Sequence, residues 1–360
     1  MAMNITWEDN ILGFIRNEDW LQTGFNVTRQ TDPIDGIFGD EKTDNITAKW
    51  QSIAAGYQLP MTASFHAFDT EAQQTVRVPI DAHNVEKGLI KVKINQSERL
   101  RTLARSGVQG DQEIFRYVMA DGLNLADQVV TRTKIAKNEA LATGQVTINE
   151  NDLTLTVDYG VPSENKAHTI TITENSDVPA QIQAIVDGAL NQGITLNAIV
   201  TSRKVINQMR ANKSVQIVIN GTYGQGALVS RSAFEAWLSA EYGIDRIITN
   251  DLTYNAANGI GADGKPAITI RRYYPQDKVT FMATNTAGRI GVGLWGDPPE
   301  VDLSGYGASV STTERSPFVY VSQYMEKDPA VLWTKASGLF IPVIYNPTTI
   351  HIASVTTTGA

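Results

Sequence analysis

The sequence contains no cysteine, and this absence excludes several kinds of chemistry at once. A chain of 360 residues without a thiol forms no disulfides, has no cysteine nucleophile and binds no metal through thiolates. Long apolar runs are also missing, so we expect no membrane-spanning helix. The first residues, MAMNITWEDNILGF, lack the basic start and apolar core of a signal peptide, and we expect no export signal.

Basic residues are in the minority. Lysine and arginine number 30 against 38 aspartates and glutamates, a net charge of −8. A protein that grips nucleic acid by its phosphates needs a basic stripe, and this composition does not indicate one. The charge is compatible with enclosing DNA without specific binding.

Glycine-rich stretches occur at 221–226, 259–264 and 288–293 (GTYGQG, GIGADG and GRIGVG). None ends in the GK[ST] of a phosphate-binding loop, and none is a GxGxxG between a strand and a helix. We interpret them as turns that need positive φ angles.

Recognisable catalytic and metal-binding patterns are absent too. The four histidines, His66, His83, His168 and His351, lie far apart in the sequence without metal-ligand spacing. There is no GxSxG, HExxH or EF-hand loop. We therefore predict no catalytic, cofactor-binding or metal-binding residue, and no cofactor.

What the chain does contain is enough apolar sequence for a large core, with 42% hydrophobic and 19% charged residues. Its most informative segment is a predicted helix over 111–143, with Asp111 as N-cap and Gly144 at its end. A helix of that length would measure about 45–50 Å. One face carries the apolar or small residues Phe115, Val118, Gly122, Leu125, Ala126, Val129, Ala136 and Ala140. Such a helix exceeds a small domain, so we expect another copy of the chain to supply part of its burial.

Segments on both sides of this helix have strand patterns. Residues 145–160 (QVTINENDLTLTVDYG) predict a hairpin, while Thr75–Ile80 and Gly88–Ile94 alternate strictly, with a turn at His83–Gly88. Pro79 favours an edge strand. Two strands alone are marginally stable, so they pack on the body of the subunit or on a neighbour.

The first sixty residues are irregular and rich in aromatics. We interpret them as an extended arm, whose aromatics are contact anchors rather than core: Trp7, Phe14, Trp20, Phe25, Phe38 and Trp50.

Residues 165–295 predict a mixed α/β domain. Helices are expected at 179–193, capped by Asp177, and at 203–212 and 231–243. Strands are expected at 168–173, 196–202, 215–220, 245–250, 267–274 and 278–285, followed by a strand-rich end from Thr312.

Three phrases carry a resemblance to a known family: LATGQVTINENDLTLTVDYGVP (Leu141–Pro162), YGIDRIITNDLTYN (Tyr242–Asn255) and DPAVLWTKASGLFIPVIYNPTTIHIASV (Asp328–Val355). Together with the order of elements they resemble tailed-bacteriophage major capsid (major head) proteins, most of all the lambda-type family (gpE type). The similarity extends over most of the chain and involves no catalytic motif.

The resemblance implies an α+β fold of the HK97-like phage capsid type. It divides the chain into an N-terminal arm (1–55), an extended loop, the E-loop (56–98), a peripheral domain with the spine helix 111–143 and β-hairpin (99–164), an axial domain (165–299), a return to the peripheral domain (300–335), and C-terminal strands of the axial domain (336–360).

The implied function is that of a major capsid protein. The chain would self-assemble as pentamers and hexamers into an icosahedral head enclosing double-stranded DNA, in the bacterial host cytoplasm, and remain in the virion. Separate scaffold and portal proteins, and possibly a decoration protein, would be its other partners; no membrane is involved. Covalent cross-linking through Lys87, Lys91 or Lys93 is not expected, because no linking motif matches position by position.

Two alternatives stay open from the residues. One is a cytoplasmic α/β enzyme with an unrecognised site around 221–226 and 259–264, and the other is a tail or baseplate structural protein. For the cations Arg77, Lys87, Arg99 and Arg101, a solvated strand face or a local ion pair is the favoured interpretation over a contact between subunits.

Overall fold

The structure is a computed structural model. It describes residues 31–53, 59, 62–66, 68, 69, 71, 74, 77–96, 121–150, 153–224, 226–260, 266–306, 309–313, 316–326, 328 and 331–357. Six α-helices lie within these ranges: α1 Asp121–Thr143, α2 Ser163–Lys166, α3 Val178–Asn191, α4 Arg203–Ala211, α5 Lys213–Asn220 and α6 Arg231–Tyr242.

The same ranges contain seventeen strands. They are β1 Phe38–Lys42, β2 Thr47–Ile53, β3 Ile80–Glu86, β4 Gly88–Gln96, β5 Gln145–Glu150, β6 Leu153–Asp158, β7 His168–Ile172, β8 Ala198–Thr201, β9 Arg246–Thr249, β10 Thr253–Ile260, β11 Pro266–Arg272, β12 Lys278–Met282, β13 Gly291–Gly296, β14 Ser309–Thr313, β15 Ser316–Met325, β16 Leu332–Ile344 and β17 Ile350–Thr357.

A six-stranded sheet is built around β16, whose central and C-terminal residues are nearly all buried. Strand β4 pairs antiparallel along one edge of β16. On the other edge, β15 pairs with its first half and β13 with its second half. Strand β14 extends the sheet beyond β15, and β1 pairs parallel with β13. A strand that is covered on both faces needs apolar side chains on both, and the buried segment LFIPVI of β16 supplies them.

Helix α1 lies against this sheet. The predicted face is confirmed, because Leu125, Ala126, Val129, Ala136 and Ala140 are all buried in the core shared with β13, β15 and β16. The helix approaches closely at Gly338 of β16, where a Cβ atom would lie 3.2 Å from Cγ1 of Val129. Residues 111–120 of the predicted helix lie outside the described residues, and the described 23 residues span about 34 Å.

The end of α1 and the hairpin also follow the prediction. Gly144 has a φ of +73°, a left-handed conformation that ends the helix and favours glycine. Strands β5 and β6 then pair antiparallel, from Gln145 opposite Asp158 to Glu150 opposite Leu153.

A second sheet has the strand order β7-β17-β12-β8-β9. One face, which includes Ile199, Phe281 and Val355, packs with α3, α4, α5 and α6. The other face joins the core around α1, where the Thr280 hydroxyl donates to the carbonyl of Leu141 and Lys278 donates to that of Ala142. The C-terminal part of α1 is therefore held by both sheets.

One predicted strand is wrong. Residues 215–220 (VQIVIN) form most of helix α5. Their β-branched composition favours a strand, but Asn212 caps the helix by accepting a hydrogen bond from the Ser214 amide. The helix then buries Val215 and Gln216 against its neighbours, because tertiary packing overrides a weak propensity.

The region before α1 also differs from the prediction. Residues 77–79 are not in a strand, and β3 begins at Ile80 because Pro79 has no amide hydrogen to donate. The predicted turn at 83–88 is wrong as well: Lys87 alone separates β3 from β4. The two strands pair with different partners, β3 with β2 and β4 with β16.

The described part of the predicted arm is integrated into the subunit. Strand β1 belongs to the first sheet, and Phe38 is buried in its core beside Ile34 and Ile37, so the interpretation of Phe38 as an external anchor is wrong. Trp50 stacks on His83 with ring centroids 5.0 Å apart. Trp7, Phe14, Trp20 and Phe25 lie outside the described residues.

Candidate functional site

A buried polar cluster attaches residues 32–40, called here the N-terminal segment, to α1 and to the second sheet. Asp32, only 2% exposed, caps the short 3₁₀ turn Pro33–Gly36 by accepting from the Ile34 amide at 2.9 Å. Its carboxylate also accepts from the side-chain amides of Asn138 at 2.8 Å and Asn250 at 3.0 Å. Asn250 follows β9 and donates in addition to Asn138 Oδ1 at 2.8 Å. We call Asp32, Asn138 and Asn250 the polar hub.

The hydrogen-bond pattern indicates that Asp32 is ionised. All three of its partners are N–H donors, and a carboxylate can accept hydrogen bonds from all of them, whereas a protonated acid has fewer acceptor positions to offer. The orientation of Asn138 follows from its second acceptor, the Lys134 carbonyl at 2.9 Å. Burial raises the pKa of Asp32, while the hydrogen bonds from Ile34 and Asn138 act in the opposite direction.

An ionic contact holds the same segment through Lys137, the residue before Asn138 in α1. The Lys137 side chain, 3% exposed, lies 3.1 Å from Asp35 and 3.0 Å from Asp40. Asp40 also accepts from Nε1 of Trp295 at 3.0 Å. Gly293 makes room for this contact, because a Cβ atom there would lie 2.4 Å from Asp40 Oδ1. Residues 32–40 are thus fixed to the long helix at several points before the chain reaches β2.

Strands β2 and β3 form a two-stranded ribbon, and Ala48 and Val85 pack one end of it on the core of the subunit. The chain between these strands carries two phenylalanines, Phe65 and Phe68, that are fully exposed to solvent. Asp69 follows in a turn with a φ of +62°. Large exposed apolar groups of this kind mark interaction surfaces.

A second ribbon, β10–β11, exposes a similar face. Ile268 and Ile270 lie on the same side of β11 and are 60% and 72% exposed. The base of the ribbon is anchored to the body by Arg272, which lies 3.5 Å from Asp251. Two-stranded ribbons are marginally stable alone, so these apolar faces favour contact with another molecule.

The lysines considered for cross-linking are all engaged within the subunit. Lys87 is buried and donates to the carbonyls of Thr43 and Trp295, and burial lowers its pKa. The interpretation of Lys87 as solvated or locally ion-paired is therefore wrong. Lys91 pairs with Glu300, and Lys93 lies 4.2 Å above the Trp333 ring.

The other cations of the sequence prediction are less informative. Arg77 is exposed, as the solvated interpretation expects. Arg99 and Arg101 lie outside the described residues.

Two of the four histidines come together, which their positions in the sequence do not indicate. His168 Nε2 lies 3.2 Å from His351 Nδ1, across the parallel strands β7 and β17. Burial and the neighbouring His168 lower the pKa of His351 to about 4. His83 contacts Ser52 and Trp50, and His66 is exposed. Among the residues that the structure describes, no three His, Asp or Glu side chains are grouped to hold a metal ion.

The glycine-rich stretches behave largely as turns. Gly221, Gly226 and Gly288 have positive φ angles, which confirms that interpretation for 221–226 and for the start of 288–293. Gly291 serves close packing instead, since a Cβ atom there would lie 2.2 Å from the Val343 carbonyl. Most of the stretch 259–264 lies outside the described residues. No helix in the described ranges is long and apolar enough to cross a membrane.

This architecture is the HK97-like capsid fold, which solved structures share with this chain. One is the crystal structure of a protein described as the capsid protein of a prophage of Escherichia coli CFT073. It has a TM-score of 0.52 and 13% identity, and the alignment covers 97% of this chain and 98% of that chain. Another is the asymmetric unit of the bacteriophage PhiM1 mature capsid, with a TM-score of 0.50, 10% identity, and coverage of 93% and 90%.

The sequence itself identifies the family. The family described as phage major capsid protein E matches residues 90–355, and the chain belongs to this family. No curated protein sequence matches the chain. The predicted fold class and capsid resemblance are confirmed. The protein is a structural component of the virion that self-assembles into a shell.

Proposed function

We propose that this major capsid protein assembles as pentamers and hexamers into an icosahedral head that encloses double-stranded DNA. The observation that carries the proposal is the combination of a rigid body with protruding apolar surfaces. The body is fixed by the polar hub and two sheets, whereas Phe68 and Ile270 project from it uncovered. Head-to-tail contacts between such surfaces close into rings when the rotation permits.

The division into domains follows from the two sheets and remains part of the proposal. The six-stranded sheet with α1 and the hairpin would be the peripheral domain, and the five-stranded sheet with α3–α6 the axial domain. The predicted boundary at 335/336 falls inside β16, which pairs throughout with strands of the first sheet. We therefore assign β13 and all of β16 to the peripheral domain, and β17 to the axial domain.

The chain between β2 and β3, together with that ribbon, would be the extended loop that reaches over a neighbour. Strand β4 also lies within 56–98, but it is paired along its length with β16 of its own subunit. We therefore assign only the part of 56–98 before β4 to the loop. The ends of the loop are close together, because Ile53 pairs with Ile80.

The remaining partners follow from the function and the charge. A separate scaffold protein, a portal and possibly a decoration protein would act with the shell during assembly in the host cytoplasm. The net charge of −8 supports enclosure of DNA without specific binding. We further propose that the chain has no enzymatic activity, since a shell subunit acts through contacts.

The proposal is tested by replacing residues 62–77 with a short Gly-Ser linker that keeps Ile53 opposite Ile80. Those side chains between 62 and 77 that the structure describes are exposed, so the isolated subunit should keep its circular dichroism spectrum and melting temperature. We expect electron microscopy to show shells for the wild type and none for the variant. Normal shells from the variant would contradict the role of the loop. A wild-type chain that stays monomeric under all assembly conditions, scaffold included, would contradict the function.

A further inference from the structure

A cavity of about 240 Å³ opens where the start of β4, the middle of α1 and the hairpin β5–β6 meet. Most of the residues that line it are apolar, and they include Leu89, Ile90, Val146, Ile148 and Phe340. An apolar cavity of about 150 Å³ is large enough to bind benzene. This cavity therefore has room for a phenyl ring.

The rim of the cavity carries an excess of positive charge. Arg132 and Lys91 belong to the lining, and the one carboxylate among the lining residues is Glu150. Arg132 lies 3.3 Å from Glu150, and Lys91, whose side chain is 43% exposed, lies 3.2 Å from Glu300, a carboxylate that it shares with Lys335. An apolar group flanked by acidic residues would match both the walls and the rim.

Phe68 is such a group. Its side chain is 99% exposed, and it lies in a turn with Asp69, whose φ is positive. Asp69 and Glu71, both exposed, supply negative charge immediately after the ring. Phe65 is equally exposed but precedes His66 and has no acidic residue directly beside it.

Phe68 does not occupy the cavity of its own subunit. Strand β3 runs from the loop at Ile80 back to Glu86, next to the cavity-lining Gly88. Seven residues of strand cover about 20 Å, so the loop starts at the far end of the ribbon from the cavity. The exposure of Phe68 shows that the ring is not buried within its own chain.

We propose that Phe68 of one subunit inserts into this cavity of an adjacent copy, with Asp69 and Glu71 facing Arg132 and Lys91. The inference rests on the proposed shell function and names the contact that the extended loop makes. The occupant is a second copy because the protein assembles with itself and carries the complementary ring and charges. The contact would hold each loop to one defined place on its neighbour.

The natural absence of cysteine allows a direct test by disulfide trapping. In the variant Asp69→Cys/Glu150→Cys the ring of Phe68 is retained, and the two thiols lie where the loop would meet the rim. We expect oxidised shells to give a ladder of covalent multimers on a non-reducing gel. The matched control, Asp69→Cys/Glu241→Cys, places the second thiol at an exposed position on α6 and should stay monomeric.

A third variant tests the ring itself. Adding Phe68→Ala to the Asp69→Cys/Glu150→Cys pair should reduce the cross-linked product about tenfold or more, since a fully buried phenyl ring contributes at least that factor to an equilibrium. Phe68 is exposed in the isolated subunit, so the melting temperature of the unassembled protein should not change.

The outcomes separate this inference from the shell function. Shells that form without a ladder, a ladder that Phe68→Ala leaves unchanged, or a disulfide confined to single chains would overturn the inference and leave the shell function standing. If the wild-type chain forms no shells, the proposed function itself fails.

Discussion

Replacing Asn138 by aspartate is the sharpest test of the polar hub, because the substitution preserves shape and changes only charge and hydrogen bonding. The Asn138 amide lies 2.8 Å from Asp32 Oδ2, so Asn138→Asp brings two carboxylates together in the interior. Both can be ionised only at a cost of about 6 kcal/mol, taking an effective dielectric constant of about 20. Holding one of them protonated at pH 7 costs about 4 kcal/mol, at roughly 1.4 kcal/mol for each pH unit above 3.9. Protonation is therefore the cheaper solution.

The protonated carboxyl makes the stability of the Asn138→Asp variant depend on pH. The folded variant holds one proton more than the unfolded chain above about pH 4, so its stability falls as the pH rises. We expect a deficit relative to the wild type of about 4 kcal/mol at pH 7 and of about 1.5 kcal/mol at pH 5. Urea unfolding of the isolated wild-type and variant subunits at both pH values measures this deficit in the free energy of unfolding.

Two further variants control for other effects. Asn45→Asp adds the same charge at an exposed position and should change stability by no more than about 0.5 kcal/mol. Asp32→Asn/Asn138→Asp leaves one carboxylate in the hub and should recover part of the loss. A deficit that is the same at pH 5 and pH 7, or no deficit at all, would refute the assignment of an ionised Asp32 against the Asn138 amide.

Two other predictions concern the end of the long helix and the histidine pair. Gly144→Ala should destabilise the subunit by about 1–3 kcal/mol in a thermal melt, because alanine at φ +73° is strained and its Cβ would lie 2.9 Å from Val161. The control is Gly188→Ala, inside α3 with open space around the new methyl group, which should stabilise the subunit slightly in the same melt. His351 has a pKa depressed to about 4 by burial, so its contribution is complete above pH 6.5 and is lost as the pH falls toward 4. Urea midpoints between pH 7.5 and pH 4.5 should therefore fall less steeply for His351→Phe than for the wild type, and equal slopes would contradict the prediction.

Local sequence patterns predicted those elements whose buried face or end depends on residues within a single segment of the chain. The three- and four-residue spacing from Leu125 to Ala140 indicates a buried helical face, and the structure packs that face against a sheet. Gly144 marks the helix end for an equally local reason. The helix at Lys213–Asn220 was missed because its β-branched side chains suit a strand, and the cap at Asn212 was the signal that could have found it.

The polar hub could not be predicted in this way. Asp32 lies 106 residues from Asn138 and 218 residues from Asn250, and each alone is an ordinary polar residue. Only the packing of the N-terminal segment, α1 and the second sheet removes them from water, and burial then obliges each to find partners.

The sequence by itself determined the class of the chain: three phrases and the order of the elements, with the long helix and the hairpin behind it, resemble one family of shell proteins, which the family match over residues 90–355 confirms. The tertiary structure alone decided which side chains are available for contact. It buried Phe38 and Lys87, left Phe68 exposed, and opened an apolar cavity between β4, α1 and the hairpin. The physical reason is that exposure depends on which distant segments cover a residue, and local periodicity carries no information about that.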